Sequence, residues 1–105
     1  MALGIYWTGF AKQELHSIFL YHKKQATLKI AKKLVSEIAR HSLILKTHPN
    51  IGQVEGLLKN RVQQFRYLVY KNYKIIYWVN KEKNQVEICD VFDTRQNPIK
   101  LKREK

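Results

Sequence analysis

The chain has little of what staples, breaks or segments a polypeptide. Cys89 is its single cysteine, so no intrachain disulfide is possible and a reducing compartment such as the cytoplasm is expected. Four glycines and two prolines leave no Gly- or Pro-rich linker, and no repeat or low-complexity segment divides the sequence. No apolar run reaches the ~18 residues that a membrane-spanning helix requires. Residues 1–7 lack the basic start and the long apolar stretch of a signal peptide. These absences predict one domain over residues 1–105, with no membrane attachment.

Acidic residues are the scarcest charged class. Eight Asp and Glu face 20 Lys and Arg, a net charge of +12. The imbalance is organised along the chain. No acid lies between Glu14 and Glu37, where Lys23, Lys24, Lys29, Lys32 and Lys33 sit. None lies between Glu55 and Glu82, where Lys59, Arg61, Arg66, Lys71, Lys74 and Lys81 sit. Such a field costs stability through self-repulsion and attracts nucleic acid or an acidic protein.

What is present reads as helices first and strands after. Hydrophobic residues make up 45% of the chain, enough for a core. A short β-prone run over 3–7 leads to Thr8, a suitable N-cap. Ala11, Leu15, Ile18, Phe19 and His22 then follow the spacing of one helix face, up to Lys23-Lys24-Gln25. Leu28, Ala31, Leu34, Val35, Ile38 and Leu45 predict a second helix over about 26–46, ended by Pro49 and Gly52. Residues 48–58 read as loop. Three β-rich runs follow, at 62–70, 73–79 and 86–92, with Lys71-Asn72 as a two-residue turn and 80–84 as a polar turn. Both faces of the middle run are apolar, which predicts a central strand. The fold expected is α+β in the order β-α-α-β-β-β, a helical hairpin packed on a small antiparallel sheet.

These pieces resemble the RelE/ParE superfamily of toxins from bacterial type II toxin–antitoxin modules. Ala11, Leu15, Ile18 and Tyr21 resemble the first-helix pattern, and Pro49 with Gly52 the post-helical Pro-x-x-Gly. Arg66 followed by Tyr73-Lys74-Ile75-Ile76-Tyr77 resembles the family's strand pair, an Arg and then Tyr-Arg, two hydrophobic residues and Tyr. Residues 91–98, Val-Phe-Asp-Thr-Arg-Gln-Asn-Pro, resemble the closing strand and its cap. The resemblance implies a growth-inhibiting cytoplasmic toxin neutralised by a cognate antitoxin. It implies one of two targets: mRNA in the ribosomal A site, cut by RelE-like members, or DNA gyrase, inhibited by ParE-like members without nuclease chemistry.

The resemblance also implies a site. Arg66, Lys74 and Arg95 match positions where basic residues hold a scissile phosphate, and Arg61 and Lys71 extend that phosphate-binding set. Asp93 is the candidate base if the chain is a nuclease, although it is equally suited to pair with Arg95. Lys74 replaces the usual Arg and cannot fork two phosphate oxygens. Gln96, Asn97, Pro98 and Ile99 follow Arg95 where RelE-like nucleases place an aromatic residue. These departures favour the ParE-like reading. A third reading, from another class, is a non-toxic basic module that binds nucleic acid. No cofactor is implied. The four histidines, at 16, 22, 41 and 48, have no partners at metal-ligand spacing, so no metal is expected. Each cation also has a plainer reading: Arg66 paired across the sheet to Glu87 or Asp90, Lys74 guarding a sheet edge, and Arg95 stabilising a turn.

Overall fold

The first helix begins where Thr8 can cap it. The Thr8 hydroxyl accepts the Ala11 backbone N–H at 3.2 Å, and helix α1 runs Gly9–Gln25. Thr27 repeats the device by accepting the Ile30 N–H at 3.1 Å, and α2 runs Leu28–His41. The computed structural model describes residues 2–58 and 62–95. The second helix is shorter than its periodicity predicts. The Ser42 hydroxyl donates to the Ala39 carbonyl at 2.6 Å, and the chain tightens there into a 3-10 turn over Ser42–Lys46.

Five strands form one sheet: β1 (Gly4–Trp7), β2 (Gln53–Val54), β3 (Arg66–Tyr70), β4 (Tyr73–Asn80) and β5 (Gln85–Asp93), in the spatial order β1-β5-β4-β3-β2. β4 is the central strand, as its two apolar faces predict. Three of the four pairings are antiparallel. β1 instead runs parallel to β5, so the sheet is mixed where an all-antiparallel one is expected. The chain leaves β1 through the helical hairpin and comes back to it only at β5, a crossover that permits parallel pairing. Two further departures lie at the opposite edge. β2 forms inside the expected loop, and β3 starts at Arg66 rather than at Val62, which is fully exposed.

Both sheet faces are covered. On the helical side, Ile75, Tyr77, Val86 and Ile88 pack with Ala11, Leu34, Ile38 and Leu45. On the other, Ile76, Cys89 and Phe92 pack with Leu58 and Phe65. Each Val, Leu, Ile or Phe side chain among them contributes about 1.5–3 kcal/mol on burial. A β-bulge makes this two-faced burial possible. Ile76 pairs with Asp90 but Tyr77 pairs with Ile88, so Cys89 is the extra residue on β5. Strict alternation, which would group Val86 and Ile88 with Asp90, therefore breaks at Cys89, and Val91 rather than Asp90 joins the helical side.

Candidate functional site

The sequence singles out Arg66, Lys74 and Arg95, and the sheet sends each to a different place. Arg66 is paired with the core residue Tyr77, so its side chain leaves on the helical side. Its Nη1 donates to the Gly52 carbonyl at 2.8 Å and to the Asn50 carbonyl at 3.4 Å. Gly52 is required there, because a Cβ would lie 2.6 Å from both the Tyr67 carbonyl oxygen and the Tyr77 hydroxyl. Tyr77 secures the same loop: its hydroxyl donates to the Pro49 carbonyl at 2.7 Å and accepts the Gly52 N–H at 2.9 Å. Burial pushes the Tyr77 phenol above its ordinary range.

Lys74 is paired with Val69 and Phe92 and faces the other way. Its Nζ donates to Glu55 Oε2 at 3.0 Å and sits 4.2 Å from the centre of the Tyr67 ring. Glu55 is 4% exposed. Its appearance beside Lys74 has no sequence signal, since the pair joins the segment after β2 to the centre of the sheet. Lys74 lies on the central strand, so it guards no edge.

Arg95 follows β5 and turns back on Asp93. Its Nη2 donates to Asp93 Oδ2 at 2.8 Å, and its Nε and backbone N–H donate to Oδ1 at 3.1 and 2.9 Å. Asn72 adds a further donor to Asp93 at 3.1 Å. These bonds, Arg95 first, hold the Asp93 carboxyl at about 2 and raise the Arg95 pKa in return. Asp93 thus pairs with Arg95, the alternative that its place in the sequence allows beside the role of base.

The cations do not converge. Arg66 lies beside Tyr77 and Asp93 beside Tyr73, four residues apart on β4, or ~13 Å, and Lys74 projects from the opposite face. The expected pairing of Arg66 with Glu87 or Asp90 is also absent, because β5 is not the neighbour of β3. Lys71 is exposed in the β3–β4 turn, with its ammonium 5.7 Å from the centre of the Tyr70 ring. Arg61, Gln96, Asn97, Pro98 and the charged tail lie outside the described residues.

Two clefts open where the hairpin overhangs the start of β4. One, of about 370 Å³, is lined by Ile18, Tyr21, Tyr73, Asp93 and Arg95. The other, of about 320 Å³, is lined by His22, Ile30, Lys33, Tyr70 and Tyr73. Between them His22 Nε2 and the Tyr73 hydroxyl form a 2.9 Å hydrogen bond. Tyr73 is 3% exposed, and burial, with Asp93 nearby, raises its pKa. The sequence places His22 among the apolar helix positions, and that inward face is what brings it to Tyr73. Among the described residues no group of His, Cys, Asp and Glu is arranged to hold a metal ion, and no helix is long and apolar enough to cross a membrane.

No protein-family model matches the chain, and no curated protein sequence does either. Solved structures do match. A chain of the chromosomal ParDE TA system from P. aeruginosa superposes with a TM-score of 0.72 at 17% identity, over 88% of this chain and 96% of that one. A chain of the toxin–antitoxin complex RelBE2 from Mycobacterium tuberculosis superposes with a TM-score of 0.62 at 14% identity, over 89% and 92%. Two helices on a five-stranded mixed sheet, in this order and over this share of both chains, are an α+β fold that this chain shares with those two solved chains.

Proposed function

We propose that the chain is the toxin of a type II toxin–antitoxin module, held inactive in the cytoplasm by a cognate antitoxin, and that it acts as a ParE-like inhibitor of DNA gyrase and not as a RelE-like mRNA endonuclease. The shared fold supports the toxin reading. One observation favours the ParE-like branch: Lys74 projects from the sheet face opposite Arg66, Arg66 and Arg95 are separated along that other face, and each of the three already donates to an oxygen of the protein. Cleavage by the RNA 2′-hydroxyl needs cations preorganised within ~3 Å of one phosphoryl group and a base with a pKa near the working pH. Asp93, at about 2, is far from that range.

Induced expression tests the reading. Growth should arrest, co-expression of the antitoxin encoded next door should restore it, and purified toxin should block supercoiling by gyrase. Translating ribosomes should leave their mRNA intact in its presence. Ribosome-dependent cleavage that disappears in Arg95→Ala would reverse the choice of target, and normal growth would reject the toxin reading.

A further inference from the structure

The tip of the helical hairpin is basic, apolar and exposed at once. Leu20 and Tyr21 in the last turns of α1 are 49% and 56% exposed, and Leu28 and Ile30 in the first turn of α2 are 45% and 51% exposed. Lys23, Lys24 and Lys29 lie among them, all exposed, and none has an ion-pair partner among the described residues. The nearest acids along the helices are Glu14, ~16 Å from the end of α1, and Glu37, ~14 Å from the start of α2. Both distances exceed the ~8 Å over which physiological salt screens a charge. Glu14 and Asp93 share a cleft with Tyr21, and Glu37 shares one with Ile30; Asp93 is paired with Arg95 and Glu37 with Arg40.

Helix stability accounts for only part of this pattern. Lys23 and Lys24 complement the dipole at the end of α1. Lys29 opposes it: it stands in the first turn of α2, where no acid is present, and repels Lys33 one turn on. The four large apolar side chains gain nothing from solvent. Together these placements cost stability at one end of the molecule.

We infer that the hairpin tip is the surface by which the protein docks on its target, and that the occupant is an acidic protein surface with an apolar recess. Charge selects the sign of the partner, and the aliphatic side chains select its class. Nucleic acid is held through phosphates and by stacking on aromatic rings. Tyr21 is the one ring among the four exposed apolar residues; Leu20, Leu28 and Ile30 offer neither contact, whereas an apolar anchor ringed by charge suits a protein interface. The inference rests on the ParE-like reading and names the surface that reading leaves unassigned.

The test measures inhibition of purified gyrase by four proteins: the wild type, Lys23→Gln/Lys24→Gln/Lys29→Gln, Leu20→Ser/Leu28→Ser, and a control, Lys81→Gln/Lys83→Gln. The control lies at the β4–β5 turn, the length of β4 or ~25 Å from the Tyr73 end. All exchanged positions are exposed, and circular dichroism melts verify each fold. Both tip variants should need at least about tenfold more protein for half-inhibition, and the control less than about threefold more. Tip variants as potent as the wild type would overturn the inference while leaving the gyrase reading intact. A wild type that does not inhibit gyrase would reject that reading and the inference with it. Loss in the Lys variant alone, matched by lost affinity for a 20-base-pair duplex, would make the tip a phosphate-binding patch and overturn the assignment.

Discussion

At the scale of single residues, the expected site dissolves into three local solutions to the same problem, a cation on a folded surface. Arg66 is spent on loop carbonyls, Lys74 on Glu55, and Arg95 on Asp93. The last pair is the one with a pH signature. Asp93 is held at about 2 in the fold against an ordinary 3.8. A depressed carboxyl favours the folded state above its unfolded pKa and loses that advantage as pH falls through its folded value. The Arg95 contact therefore contributes in full above about pH 4 and fades between about pH 4 and pH 2. Arg95 is 62% exposed, so solvent screens the contact and keeps its contribution small. Asp93→Asn should lower stability at pH 7 and flatten the acid limb. Urea denaturation at several pH values checks this, and equal acid limbs for the two proteins would refute it.

At the scale of elements, the legible features were those written in local pattern. Thr8, the 3.6-residue spacing through Ile38, and the apolar run 73–79 each encode their structure within one window. Features that depend on a distant partner were silent. Gln53 and Val54 lack a strand pattern and become β2 only because Tyr67 and Arg66 lie opposite them. Glu55 meets Lys74 only through that same pairing. The parallel pairing of β1 and the bulge at Cys89 likewise depend on where the crossover lands. The candidate site failed to assemble for a related reason. The resemblance put Arg66 and Lys74 together, but pairing placed them on opposite faces. One side chain carries much of this non-local order. The Tyr77 hydroxyl ties the Pro49–Gly52 loop to the central strand and thereby positions Arg66 and the approach to β2. Tyr77→Phe should cost about 1–3 kcal/mol, because it leaves the Gly52 N–H unsatisfied and frees the Pro49 carbonyl. Hydrogen exchange should show the loss as faster opening of β2 and β3, with α1 much less affected. Uniformly faster exchange would mean that the hydroxyl stabilises the fold without anchoring the loop.

At the scale of the whole molecule, charge decides between two opposing effects of salt. Screening weakens ion pairs, and the described residues hold three of them. The Arg40–Glu37 and Arg95–Asp93 pairs stand at the surface, where such pairs contribute little, and Lys74–Glu55 is the one that is largely buried. Screening also relieves the repulsion of a net +12, much of it in stretches with no acid at all. Those stretches place Lys23, Lys24, Lys29, Lys32 and Lys33 on one hairpin, within reach of one another at low ionic strength, when the screening length is ~30 Å, and beyond it at ~3 Å in 1 M salt. Relief of repulsion is therefore the larger effect, and the protein should become more stable as sodium chloride rises. A gain of about 1 kcal/mol between ~10 mM and ~500 mM corresponds to a midpoint shift of about 4–8 °C for a chain of this size. Thermal melts followed by circular dichroism measure it. A falling midpoint would show that the ion pairs outweigh the field, and the basic surface would then be a consequence of stabilising pairs and not a feature held at a cost for binding.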